Sequence, residues 1–231
     1  MSKLAQSIQS SDTKAILQIF HVGRMGTSTT LRGVQPVSAS AIPPLRENAQ
    51  TPRPLPEDEV WELVEAFGEA VRRAIEAGFD GIELHGANTY LIQQFFSPHS
   101  NRRDDFWGGS LEKRMNFPIE VVKIAQKTIE EHANKPFIFG YRISPEEIEE
   151  PGITLSDTIA LMKKLKEFNL DYIHVSLGDI FGTSIRDIDD QTPILQILQK
   201  EIGKDIPLIG VGKIQTPDDA IKAMEDFGIP L

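Results

Sequence analysis

Phe79-Asp80-Gly81-Ile82-Glu83-Leu84-His85-Gly86-Ala87-Asn88-Thr89-Tyr90 reads as a short buried strand that runs directly into a polar cluster. Alternation along a strand puts Ile82 and Leu84 on one face and Gly81, Glu83 and His85 on the other, so the imidazole emerges where the chain leaves the sheet. Asn88 and Tyr90 follow within one turn of loop. A histidine and an amide so spaced can both donate to one oxygen, and a nearby phenol can give up a proton. That is equipment for activating a carbonyl compound. The same three residues can also serve as a core-edge histidine, a turn asparagine and a packing tyrosine.

Outward from this stretch, 231 residues with 40% hydrophobic content can bury one large core, and one domain is expected. A net charge of −10 argues against a nucleic-acid or anionic-membrane surface, either of which needs a basic field. The chain has no cysteine, which excludes disulfides, thiolate metal sites, iron–sulfur ligation and a thiol nucleophile within it. No metal site is expected. Neither a signal segment nor an apolar run of about eighteen residues is present, so a soluble, cytoplasmic protein is expected.

Short apolar runs alternate with amphipathic segments, the pattern of repeated βα units. Strands are predicted at Ala15–Phe20, Gly81–Leu84, Pro136–Ile143, Tyr172–Ser176 and Ile206–Val211. Between Glu57 and Gly78, Val60, Leu63, Val64, Phe67, Val71, Ala74 and Ile75 recur at helical spacing, and Gly78 offers a C-cap. A helix beginning after Ser110 meets Pro118 and is predicted to break there. Thr154 with Asp157, and Thr216 with Pro217 and Asp219, open two further helices with side-chain caps.

Two long connections interrupt this rhythm, and both follow strands. His21 to Pro56 carries six of the fifteen prolines, which marks an irregular excursion. Gly86 to Gly109 sets Tyr90, Phe95, Phe96, Phe106 and Trp107 beside Arg102, Arg103, Asp104 and Asp105. Aromatics beside charges suggest a wall over a ligand; the competing reading folds Phe95 and Phe96 back onto the helices. Distinctive polar residues stand at the C-terminal end of every strand: Gln18 with His21 and Arg24, His85 with Asn88, Arg142 with Ser144, Ser176 with Gly178, and Gly212 with Lys213. A parallel barrel brings all these ends to one mouth, whereas a doubly wound sheet needs such ends only at its switch point. A TIM barrel is therefore expected. Taken singly, Gln18 can be an interior amide, Arg142 a partner for Glu83, and Gly212 a turn glycine.

These residues carry a resemblance to the old yellow enzyme family of FMN-dependent NAD(P)H:flavin oxidoreductases and ene-reductases. The matching pieces are Leu17 to Arg24, Ala77 to Leu91, Phe96 to Asp104, Gly108 to Arg114, Tyr141 to Ser144 and Val211 to Ile214, in one order over essentially the whole chain. The resemblance implies FMN as cofactor, NADH or NADPH as reductant and an enone-like small molecule as substrate. It places Gln18 and Arg142 at the flavin ring and Gly212 and Lys213 near its phosphate. His85 and Asn88 would then hold the substrate oxygen, and Tyr90 would be the proton donor. Thr89 stands where the family has glycine, Trp107 where it has tyrosine, and Lys113 where it has asparagine.

The family barrel has eight strands, and this chain matches about the third to the seventh. Residues 1–231 are accordingly expected to be a partial FMN-binding (β/α)8 domain, truncated at both ends, with open strand edges that invite aggregation or a homo-oligomer. Two alternatives accompany this expectation. One is the FMN domain of a larger iron–sulfur protein of the dienoyl-CoA reductase or amine dehydrogenase kind. The other is a flavin-free remnant without catalysis.

Overall fold

The computed structural model describes residues 1–228; the last three positions of the expected 1–231 domain lie outside the described residues. Five parallel strands form one sheet in the order β1 (Ile16–Ile19), β4 (Gly81–Gly86), β5 (Ile138–Ile143), β6 (Tyr172–Ser176) and β7 (Leu208–Val211). The five expected strands are all present. β6 matches its expected range, and the others differ by at most two residues at either end, β4 running on through His85 and Gly86. Between β1 and β4, a two-stranded parallel ribbon, β2 (Val37–Ser38) with β3 (Arg53–Pro54), ties down the first long connection.

Helices cover one face of the sheet in the order of the strands. α2 (Glu57–Glu76) packs on α5 (Asn116–His132), α5 on α6 (Leu155–Leu165), α6 on α7 (Ile194–Glu201), and α7 on α8 (Pro217–Phe227). Alternation explains the core: Ile82 and Leu84 of β4, Phe139, Tyr141 and Ile143 of β5, and Ile173 and Val175 of β6 all face these helices and are buried. Successive parallel strands that each cross over through a covering helix give an α/β sheet of TIM-barrel type. Among the described residues β1 and β7 pair on one side only, so the sheet is part of a barrel rather than a closed one.

The local signals act where their chemistry places them. α2 ends in a Schellman motif: the Phe79 N–H donates to the Ala74 carbonyl, the Gly78 N–H donates to Ile75, and Gly78 takes a φ of +85°. Thr154 and Thr216 both close complete capping boxes, with Asp157 and Asp219. At Pro118 the expectation is off by a few residues. The break falls between α4 (Leu111–Arg114) and Asn116, and Pro118 sits in the first turn of α5, where its missing N–H has no intrahelical partner to lose.

Beyond Tyr90, the aromatic-rich connection folds Phe95, Phe96 and Trp107 into the core rather than over a ligand. It contains a short helix, α3 (Leu91–Phe96), and Phe95, Phe96 and Trp107 are buried, with the Phe95 ring stacked 4.1 Å from Phe117 of α5. Its charges are structural too, since Arg103 Nη1 donates to the Ala39 carbonyl at 3.2 Å and Arg103 Nε binds Asp105. The N-terminal ends of the strands carry a polar cluster of their own. Asp80 accepts from the Ala15 N–H at 3.0 Å and from Gln9 of α1 (Ser2–Gln9) at 2.7 Å, and it pairs with Lys135 at 3.0 Å. These contacts hold its carboxyl well below the usual range and pin α1 across the strand starts.

Candidate active site

The face of the sheet away from the helices is polar. Strand register places Gln18 opposite Glu83, His85 opposite Arg142, and Arg142 opposite His174, so these side chains rise from neighbouring strands of one surface. Glu83 is the partner of Gln18 and His174, not of Arg142: its Oε1 accepts from Gln18 Nε2 at 2.6 Å, and its Oε2 lies 3.0 Å from His174 Nδ1. His174 escaped the sequence analysis, because mid-strand alternation in Tyr172–Ser176 reads as packing. Its place between Ile173 and Val175, on the face opposite these two apolar residues, was the available signal.

His85 is 4% exposed. Burial, with the Arg142 charge beside it, pulls its pKa down to about 4, so the imidazole is neutral at physiological pH. Its Nδ1 accepts the Ala87 N–H at 3.2 Å, which assigns the single ring proton to Nε2. Nε2–H is thus the free donor. The Tyr90 ring meets the His85 ring edge-on, with centroids 4.9 Å apart, and Phe20 packs 5.0 Å from Tyr90.

Asn88 and Thr89 both adopt left-handed backbone, with φ of +54° and +60°. Such a conformation costs free energy for a residue with a Cβ and persists because its surroundings hold it. Here the Asn88 N–H donates to Ser144 Oγ at 2.9 Å, and Gln93 Oε1 accepts the Thr89 N–H at 3.0 Å. The Asn88 side chain is oriented as well. Arg142 Nη2 donates to Ser176 Oγ at 3.0 Å, and Ser176 donates to Asn88 Oδ1 at 3.0 Å, which leaves the Asn88 nitrogen as the free end of the amide.

Arg142 makes no ion pair among the described residues, and its Nε is buried without a partner. A buried guanidinium N–H left unpaired is costly and marks a position where an acceptor is wanted. Beside it, at the ends of β6 and β7, a cleft of about 400 Å³ is lined by Ser176, Gly178, Asp179 and Lys213. A Cβ on Gly178 would meet nothing within 4 Å, whereas Gly212, at φ +128°, lies so close to the turn that a Cβ there would stand 2.7 Å from the Leu177 carbonyl. Lys213 is committed: its ammonium pairs with Asp179 at 3.2 Å.

Two residues grouped with these by sequence do other work. Arg24 is 1% exposed and locked against Glu149 at 3.0 Å, and His21 accepts the Gly23 N–H at its Nδ1. A cavity of about 670 Å³ lies between α7 and α8 on the outer layer, away from this chemistry. Among the described residues no group of three or more His, Cys, Asp or Glu is placed to hold a metal ion, and no helix is long and apolar enough to cross a membrane.

Residues 1–231 all match the NADH:flavin oxidoreductase / NADH oxidase family. The chain belongs to that family. FMN and a reduced nicotinamide are the family's cofactors. Among curated proteins, the chain is 50% identical over 228 residues to an NADH:acrylate oxidoreductase of Vibrio harveyi, covering 97% of this chain and 23% of that protein. It is 46% identical over 231 residues to the probable NADH-dependent flavin oxidoreductase YqiG of Bacillus subtilis, covering 100% of this chain and 61% of that one. Among solved structures, morphinone reductase in complex with tetrahydroNAD superposes with a TM-score of 0.79 at 25% identity, over 99% of this chain and 63% of that one. The chain therefore spans between 23% and 61% of the length of these curated relatives. The old yellow enzyme resemblance and the barrel expectation both hold at the level of family and fold.

Proposed function

We propose that the protein containing this chain uses NADH or NADPH to reduce FMN, and that it reduces a carbon–carbon double bond activated by a carbonyl or similar oxygen. The observation that carries the reading is the pair of oriented donors. His85 is neutral with its proton on Nε2, and Asn88 has its oxygen tied to Ser176. Two donors aimed at one oxygen stabilise the negative charge that develops there, often the largest single catalytic term.

FMN fits the residues present. The orphaned Arg142 Nε suits the electron-rich edge of the pyrimidine ring, the free carbonyl oxygen of Gln18 suits a ring N–H, and the open space over Gly178, beside Gly212 and Lys213, suits the phosphate. When bound, FMN supplies the two-electron chemistry, and the protein supplies orientation and electrostatics. His85 and Asn88 hold the substrate oxygen and draw electron density from the distal carbon. Tyr90, edge-on to His85, delivers its phenolic proton to the carbon beside the activating group. Arg142 would lie beside the pyrimidine edge of bound FMN, where its positive charge would offset negative charge on the ring. Residues 1–231 are in this reading a partial FMN-binding barrel domain, with the rest of the relatives' length completing it.

The test is an anaerobic titration of the full-length protein. NADH or NADPH should bleach a yellow chromophore, and a cyclic enone should restore it. A bleached flavin that oxygen reoxidises but an enone does not would overturn the assignment. A second reading follows from the 23% coverage of the Vibrio harveyi protein: the chain is a flavin module that takes electrons from a nicotinamide inside a longer protein and passes them elsewhere. In that case Tyr90 is dispensable.

A further inference from the structure

Glu83 is 6% exposed and stands on the polar face of the sheet, where barrel interiors usually place bulky branched residues. Room for its surroundings comes from Gly140, where a Cβ would lie 2.2 Å from the Tyr172 ring. Both carboxylate oxygens are used. Oε1 accepts from Gln18 Nε2 at 2.6 Å, and Oε2 faces His174 Nδ1 at 3.0 Å. Burial works against the charge, and the hydrogen bonds from His174 and Gln18 outweigh it, holding the carboxyl below its usual range. An ionised carboxylate only accepts hydrogen bonds, so the Gln18 amide must turn its nitrogen toward Glu83. Among the described residues no donor reaches Gln18 Oε1, which is left as the free end.

We propose that Glu83 is a positioning residue that locks the Gln18 amide so that only its oxygen faces the cofactor site, making the site select a ring that presents an N–H at that position. The proposal rests on the reading that FMN lies beside Gln18 and Arg142. The pyrimidine edge of FMN offers two carbonyls and a single N–H, at N3. A freely rotating glutamine could meet a carbonyl with its nitrogen or the N–H with its oxygen, and would discriminate against neither. A locked one demands the N–H. His174 holds the second carboxylate oxygen and so keeps Glu83 from swinging away.

The experiment uses the full-length holoprotein, stripped of flavin and titrated by fluorescence quenching with FMN and with N3-methyl-FMN. The parent should bind the methylated flavin about tenfold more weakly, the effect of one lost hydrogen bond. Glu83→Leu should collapse that ratio to below about threefold, because the amide is released. Glu83→Gln should lower it too, since an amide can turn its nitrogen as well as its oxygen toward Gln18 and no longer dictates which end of Gln18 stays free. A role in packing alone would weaken both flavins equally in Glu83→Leu and leave the ratio intact, which would overturn the proposal. Should Glu83→Leu not fold, Glu83→Asp, which keeps the charge but withdraws the acceptor, should show the same collapse, and a retained ratio there would be equally decisive. A parent that binds both flavins alike removes this inference while leaving FMN in place. A parent that binds neither removes the functional reading itself.

Discussion

At the residue scale, the state of His85 governs both chemistry and stability. The folded protein keeps it neutral down to about pH 4, while the unfolded chain takes up the proton near 6.5. Between those values the unfolded state binds more protons, so stability falls as pH drops from 6.5 toward 4, by up to roughly 3 kcal/mol, and this contribution to the loss ends below 4. His85→Gln should flatten that part of the profile, as read from urea midpoints at pH 7 and 4.5. The oxygen pocket is tested separately. In the full-length protein a phenolate should give a long-wavelength charge-transfer band with bound FMN, and replacing His85 and Asn88 together by Ala should weaken its binding by at least about tenfold. An unchanged dissociation constant would take both residues out of the pocket. Tyr90→Phe should slow reoxidation by an enone by roughly 10² to 10⁴ while leaving reduction by the nicotinamide nearly intact, measured by stopped flow on each half-reaction. Equal rates for the enone step in parent and variant would favour the second reading.

At the scale of elements, the positions where backbone approaches backbone are the intolerant ones. A Cβ on Gly81 would stand 2.3 Å from the Ile138 carbonyl of β5, so Gly81→Ala should cost about 2 kcal/mol or more by forcing β4 and β5 apart. Gly178→Ala meets open space and should leave the denaturation midpoint unchanged, yet weaken FMN by filling the cleft assigned to its phosphate. If the two variants lose equal stability, the packing account of β4 fails. The capping box of α6 gives a smaller effect: Thr154→Ala should cost about 1 kcal/mol in the same measurement. Most of these elements were legible because their determinants are local, as with the Schellman glycine at Gly78 and the caps at Thr154 and Thr216. The ligand wall expected from Phe95, Phe96 and Trp107 was not, because composition reports that aromatics and charges coexist but not which way the rings turn. Their direction is set by Phe117, on a helix that begins after the loop ends.

At the scale of the molecule, the sheet among the described residues has two strands paired on one side only, and apolar Phe20 and Ile209 are 52% and 38% exposed on or beside them. Unpaired edges with apolar side chains favour association with another strand. Residues 1–231 produced alone should therefore bind FMN weakly and self-associate, and the full-length protein should be yellow and monodisperse. Fluorescence titration and light scattering on both forms check this. Tight stoichiometric FMN binding by monomeric 1–231 would show that the additional length contributes nothing to the site.

The sequence by itself determined the order of strands and helices, the parallel α/β class and the strand-end positions of Gln18, His85, Asn88, Arg142, Ser176 and Gly212, because period, caps and turn residues act within a few positions of themselves. It also pointed to the family, through motifs in a fixed order. Only the tertiary structure decided partners. Arg142 was free to be the mate of Glu83 on paper, and among the described residues it has no ion pair because register set it opposite His174 while Gln18 took up Glu83. Arg24 looked like a mouth residue and is instead buried against Glu149, more than a hundred positions away. The ring proton of His85 and the direction of the Asn88 amide likewise depend on bonds to the Ala87 backbone and to Ser176. Which of two equivalent polar atoms is used and which remains free is a property of neighbours in space, and most of those neighbours are distant in sequence.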